Sequence, residues 1–196
     1  MKDVLVLGFS PRRNGNTDRM AHWANGLAKE NGFAGELLFL RDLNFSPCIA
    51  CGACAKDGMC HLKDDLTQIY PKIITSEKIV FAAPVFFQSL GALAKSFIDR
   101  MQCFWSAHHL LHREVVADPV LRSKRGLYAL MCGATNLSDT FSCSEKLIKI
   151  FCATVETSYR GGTFVPGIDQ KGDIDQETIK TKVITDVKSF FLHESS

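Results

Sequence analysis

Short apolar runs, each followed by an amphipathic stretch, recur five times along this 196-residue chain, and that alternation restricts its fold more than any other feature. Val4–Gly8 is continuously apolar, as a strand covered on both faces must be. From Thr17 to about Asn31, Met20, Trp23, Ala24, Leu27 and Ala28 fall on one helical face, and Asn31-Gly32 supplies a stop. Glu36–Leu40 reads as a second strand, and Asp64–Ile74 as a helix bent or shortened by Pro71. Lys78–Val85 is the strongest strand, and Ala92–Gln102 is a helix with Leu93, Phe97, Ile98 and Met101 along one side. Gly126–Cys132 is a fourth strand, Thr140–Cys152 a helix, and Thr154–Val165 contains a fifth strand. In Gln176–Leu192, Ile179, Val183, Val187 and Phe190 recur at helical spacing. Five such units imply an α/β fold with a doubly wound, five-stranded parallel sheet, for which the order 2-1-3-4-5 is expected. No repeat or linker interrupts the pattern, so residues 1–196 read as one domain with a cysteine-rich loop at 44–61.

Doubly wound sheets bind ligands beyond the carboxyl ends of their strands, which directs attention to the segments after Gly8, Pro84 and Cys132. The first is Gly8-Phe9-Ser10-Pro11-Arg12-Arg13-Asn14-Gly15-Asn16-Thr17, opening onto a helix. Ser10, Asn16 and Thr17 carry short donors, Arg12 or Arg13 carries charge, and the helix start adds unpaired N–H groups, so an anion fits there. A bare helix cap at Asn16 or Thr17 is the simpler alternative. Neither GxxxxGK[ST] nor GxGxxG is present, which favours a monophosphate such as that of FMN over a nucleoside triphosphate or a dinucleotide. After the third strand, Pro84-Val85-Phe86-Phe87 can line a flat ring, although two phenylalanines are also ordinary core residues. Gly133 and Ala134 provide small residues for a third wall.

The second informative feature is the eight cysteines, four of them within Cys48-x2-Cys51-x2-Cys54-x5-Cys60. The apolar run after Met1-Lys2-Asp3 is too short for a secretory signal, and no stretch approaches bilayer thickness. A cytoplasmic location is therefore expected, where clustered thiols serve metal or redox chemistry more than disulfides. Three thiolates at successive CxxC spacing, with Gly52 and Ala53 at the turns, can wrap a 4Fe–4S cluster, and with no second run Cys60 becomes its fourth ligand. Zinc and four reduced thiols without metal remain alternatives. Cys103, Cys132, Cys143 and Cys152 read as small apolar residues.

With 23 basic against 21 acidic residues, the net charge of +2 supplies no polybasic face, and neither nucleic acid nor a membrane is an expected partner. His108, His109 and His112 lack an HExxH context and read as packing or solvent-facing groups. No GxSxG marks a serine hydrolase, and no general acid or base stands out.

The segments GFSPRRNGNT, DDLTQIYPKI, KIVFAAPVFF and LAKSFIDR resemble the flavodoxin-like NAD(P)H-dependent FMN reductases, and the cysteine segment extends the likeness to the iron-sulfur flavoproteins among them. The resemblance covers residues 3–135 best. It implies that Ser10, Arg12, Asn14, Gly15, Asn16 and Thr17 hold the FMN phosphate, and that Pro84, Val85, Phe86 and Phe87 contact the isoalloxazine, with Gly133 and Ala134 as the third loop. Phe86 stands where that family usually has tyrosine, so the phenolic hydroxyl is lost while ring packing is kept. It further implies a flavin-dependent oxidoreductase drawing on NAD(P)H, a small-molecule or ferredoxin-like donor or acceptor, and a homodimer or homotetramer. A cluster-free FMN or quinone reductase and a non-enzymatic carrier or metal-binding module are the competing expectations.

Overall fold

The computed structural model describes residues 3–192. In chain order the elements are β1 (Asp3–Gly8), α1 (Asn16–Glu30), β2 (Ala34–Phe39), α2 (Cys54–Asp57), α3 (Leu66–Thr75), β3 (Lys78–Phe86), β4 (Ser89–Leu90) and α4 (Ala92–Asp99). They continue with α5 (Gln102–His109), α6 (Pro119–Lys124), β5 (Gly126–Gly133), α7 (Ser142–Thr154), β6 (Ser158–Pro166) and α8 (Glu177–Leu192).

The long strands are parallel and lie in the order β2-β1-β3-β5-β6, while the two-residue β4 folds back antiparallel on β3. With that short return set aside, this is the expected 2-1-3-4-5 sheet. The period of two along each strand divides the core. Leu5 and Leu7 of β1, Ile79, Phe81 and Ala83 of β3, and Leu127, Ala129 and Met131 of β5 enter one cluster, packed beneath α3, α4 and α7. Val4 and Val6, Val80 and Ala82, and Tyr128, Leu130 and Cys132 enter the other, beneath α1 and α8. Burial on both faces explains why these strands read as unbroken apolar runs. Gly8 ends β1 because a Cβ there would come within 2.5 Å of the Phe39 ring at the end of β2.

The expected helix Ala92–Gln102 ends at Asp99, and a second helix, α5, starts at Gln102 and is followed by α6. The break at Arg100-Met101 has a physical cause. Arg100 is 1% exposed and is drawn inward to meet Asp64 (Nη1–Oδ2 2.6 Å, Nη2–Oδ1 3.1 Å) and the Ser46 carbonyl (2.7 Å). Pro71 stays inside α3 without ending it. The last turn of α3 is capped from a distance: Arg125 donates to the Ile73 and Ile74 carbonyls at 2.5 and 3.1 Å, and burial lowers its pKa to about 10. Among the described residues no helix is long and apolar enough to cross a membrane.

Candidate functional site

At the carboxyl edge of the sheet, the loops after β1, β3 and β5 close around a cleft enclosing about 70 Å³. Ser10, Arg12, Gly15, Asn16, Thr17, Pro84, Val85, Phe86, Gly133 and Ala134 line it together with Cys132, Ile168 and Asp169. Asn14 and Phe87 lie outside this lining. The enclosed volume suits a phosphate-sized group, and α1 begins there at Gly15 with no side chain capping its first amides.

Several side chains that looked like ligand donors are engaged within the protein. The Ser10 hydroxyl bridges the amide and carbonyl of Arg12, both at 3.2 Å. Asn16 donates to the Gln170 carbonyl (2.9 Å) and accepts from the Gly172 amide (3.0 Å), tying α1 to the loop after β6. Thr17 Oγ1 lies 3.4 Å from Cys132 Sγ. This leaves the backbone amides of the first turn and the exposed Arg12 guanidinium, which donates to the Asp169 carbonyl at 3.3 Å through one nitrogen only, as the groups that would receive an anion.

The loop owes its shape to two residues that the sequence reading overlooked. Buried Asp18 accepts from the Asn14 amide (2.7 Å) and from Arg41 Nη1 (2.8 Å), and the same Arg41 nitrogen donates to the Ser10 carbonyl (2.9 Å). Asn14 is thereby held at φ 54°, a left-handed conformation that asparagine tolerates better than most residues. Arg41 follows β2 and stacks over Phe39, with its carbon 4.2 Å from the ring centre, and neighbouring Asp42 pairs with Arg13. Two ion pairs therefore join the phosphate-sized cleft to the start of the cysteine loop.

Beyond the cleft, Phe87 and Gln88 form the two-residue turn between β3 and β4, with φ of 49° and 60°. Positive φ at both central positions is the demand of a type I′ turn, which Asn-Gly meets cheaply and Phe-Gln does not. The ring of Phe87 is fully exposed, whereas Phe86 folds over Gly91, where a Cβ would come within 2.9 Å of the ring. Replacing Phe87 with Asn and Gln88 with Gly is expected to stabilise the fold by about 1 kcal/mol, or roughly 2–4 °C in Tm. Differential scanning calorimetry checks this, and an unchanged Tm would mean that the turn carries no strain.

A larger cavity, about 340 Å³, lies between the cysteine loop and the α4–α5 junction. Cys48, Cys51, Cys54 and Cys60 all line it, opposite Arg100, Cys103 and Ser106. The base of the loop is clamped by two carboxylates: Asp65 accepts from the Asn44 amide at 2.6 Å, and Asp64, already held by Arg100, accepts from the Ser46 amide at 3.2 Å. Gly52 and Gly58 take φ of 70° and 78°, and Ala50 takes 53°, which lets the chain turn tightly between successive sulfurs. The four sulfurs contain no group of three within 4.8 Å of one another.

Cys103 was read from sequence as a plain apolar residue, yet it forms part of this wall. Burial, with the nearby charges of Cys60 and Cys54, pushes its pKa up to about 12, and its Sγ lies 3.5 Å from the Arg100 carbonyl. It belongs to α5, outside the Cys48-x2-Cys51-x2-Cys54-x5-Cys60 run. Tyr70, whose hydroxyl reaches toward Cys60 and the Arg100 carbonyl, is likewise raised above its ordinary pKa, first by burial and then by Cys103. Cys103→Ala is therefore expected to retain the full iron content of the wild type on elemental analysis. Loss of one iron or more per chain would make Cys103 a ligand.

Among the described residues, one group offers three ligand atoms within 4.8 Å: His108, Glu114 and Glu156. An arginine already sits there, since Arg122 Nη1 pairs with Glu114 and lies 3.7 Å from Glu156. Both Glu156 oxygens also accept backbone amides, from Val115 and Val116 at 2.9 Å, so the group reads as a strut between α5 and the turn after α7.

Comparison with known proteins adds an independent line. The family model described as NADPH-dependent FMN reductase matches residues 2–165. An iron-sulfur flavoprotein of Methanosarcina thermophila is 36% identical over 97 residues, which are 50% of this chain and 51% of that protein. An iron-sulfur flavoprotein of Archaeoglobus fulgidus is 31% identical over 161 residues, covering 82% of this chain and 77% of that one. The matched part of the chain spans about half the length of the first curated relatives. Among solved structures, an NAD(P)H:quinone oxidoreductase from Methanothermobacter marburgensis superposes with a TM-score of 0.75 at 13% identity, over 99% of this chain and 98% of that one. At that identity the likeness speaks for the fold alone.

Proposed function

Since the chain belongs to the NADPH-dependent FMN reductase family and, within it, is kin to the iron-sulfur flavoproteins, we propose that it is an FMN-dependent oxidoreductase carrying a 4Fe–4S cluster. FMN would bind through the first-turn amides of α1 and Arg12, with its ring toward Pro84, Val85 and Phe86. The cluster would be held by Cys48, Cys51, Cys54 and Cys60. When bound, FMN supplies hydride and one-electron chemistry, and the cluster supplies one-electron transfer.

The observation that carries this reading is the meeting in one cavity of all four cysteines of the Cys-x2-Cys-x2-Cys-x5-Cys run. The chain's own contribution is structural and electrostatic. Asp18 and Arg41 hold the anion loop in shape, Gly133 and Ala134 leave the third wall free of bulk, and Asp64, Asp65 and Arg100 secure the base of the cysteine loop. NAD(P)H or a ferredoxin-like protein is the donor that the family relationship favours. Exposed Phe87, Trp105 and Leu110 favour a homodimer or homotetramer.

An absorption spectrum of anaerobically purified protein tests the proposal, because flavin and iron-sulfur bands would be read together. Protein offered FMN that shows no flavin band would overturn the flavin assignment. Full NADPH oxidation with no iron or acid-labile sulfide would leave a cluster-free reductase.

A further inference from the structure

Two buried groups line the cysteine cavity and are left unexplained by ligation alone. The first is Ser106, a polar residue in α5 that is 1% exposed and whose Oγ lies 3.4 Å from Cys54 Sγ. As a thiol, Cys54 can alternatively point at the Gln102 carbonyl, 3.9 Å away. As a metal-bound thiolate it has no proton to give, so the serine hydroxyl must be the donor. The second is Arg100, also 1% exposed, whose two terminal nitrogens are spent on Asp64 and Ser46 while its Nε is buried without a partner. Its guanidinium keeps its charge there, paired with the Asp64 carboxylate through both terminal nitrogens. A guanidinium paired with Asp64 and a hydroxyl dipole thus line the same cavity as the four sulfurs.

We propose that Ser106 and Arg100 set the reduction potential of the cluster, a role that rests on the ligand assignment above. A reduced cluster carries one more negative charge than an oxidised one. A donor on a ligating sulfur and a buried positive charge both stabilise the reduced form, and so raise the potential. The surrounding wall of Cys103, Leu110 and Ile49 is apolar, which leaves the charge of Arg100 less screened than it would be in water. Neither residue touches the reacting bonds of a substrate; both act through the cluster as positioning and tuning groups.

The test uses the full-length, anaerobically purified protein with iron and sulfide measured first, followed by a potentiometric titration monitored by electron paramagnetic resonance. Ser106→Ala is expected to keep the wild-type iron content while the reduced-to-oxidised ratio at a fixed potential falls about tenfold, a shift of about 59 mV for one electron. Ser106→Thr, which keeps the hydroxyl, is expected to restore the wild-type value. Arg100→Lys keeps the charge and is expected to hold the wild-type potential, and a negative shift in a fully loaded Arg100→Lys protein would remove the Arg100 charge as a tuning group. A fully loaded Ser106→Ala protein with an unchanged potential would overturn the assignment. So would loss of iron from Ser106→Ala, since the hydroxyl would then hold the cluster rather than tune it. Wild-type protein without iron would instead remove the ligand assignment itself, so the two failures are distinguishable by elemental analysis alone.

Discussion

Replacing Cys60 with Ala should abolish the iron-sulfur absorbance of anaerobically purified protein while leaving its flavin bands in place. The four proposed ligands are not equivalent in their surroundings. Cys48, Cys51 and Cys54 follow one another at CxxC spacing, but Cys60 arrives after the left-handed Gly58 and faces Tyr70 and Arg100 across the cavity. It is the one cysteine of the four outside the CxxC run, and three ligands would leave a cluster open to water and to loss. Iron should fall from four atoms per chain to well under one, whereas Cys143→Ala, on an exposed cysteine of α7, should leave it unchanged. The flavin should survive because the cleft is built from different loops, after β1, β3 and β5. Retention of four irons in Cys60→Ala would show that the fourth ligand lies elsewhere. One zinc per chain in the wild type would replace the cluster altogether.

Asp64→Ala should cost about 3–5 kcal/mol of folding stability, roughly 10 °C in Tm. The reason is what it leaves behind. Arg100 has no side-chain exposure, and without Asp64 its charge is buried with only the Ser46 carbonyl as partner. The same substitution frees the Ser46 amide, so the cysteine loop loses its anchor and iron retention should fall along with stability. The pH dependence follows in sign. Burial raises the pKa of the Asp64 carboxyl, but hydrogen bonds from Arg100 and from the Ser46 and Leu66 amides, with the guanidinium charge, outweigh burial and hold it below 3.8. A carboxylate whose folded pKa is depressed contributes stability above its unfolded pKa and loses that contribution as pH falls through the folded value. Wild-type stability should therefore decline below about pH 4, and the slope of that decline should be smaller in Asp64→Ala. Urea unfolding at pH 7 and at pH 3 measures both effects; equal losses at the two pH values would count against the pair.

Much of the fold was legible because sheet burial is written in the residues themselves. Strands β1, β3 and β5 are buried on both faces, so their sequences had to be apolar throughout, and α1 and α8 each press one face on the sheet, which imposes helical spacing. The junction of α4 and α5 was not legible for the converse reason. The inward face of α5 includes Cys103 and Ser106, and it packs on α2 and the cysteine loop rather than on the apolar core. A polar inward face leaves no hydrophobic period to read. In the candidate site, the loops that contribute to the cleft could be named from their place after the strands. That Asn16 would be engaged by the protein, and that Arg41 would brace Ser10 and Asp18, could not be, because those partners lie 23 to 156 residues apart.

Sequence alone therefore determined the order of elements, the edge of the sheet where chemistry collects, and the identity of the clustered thiols, since each depends on local periodicity or spacing. The tertiary structure decided the environment of those thiols. Cys103, Ser106 and Arg100 come from a helix junction some forty residues downstream of the cysteine loop, and only folding brings them against it. Local composition can mark residues able to bind iron, but the field around the iron comes from long-range packing, which no short stretch of sequence encodes.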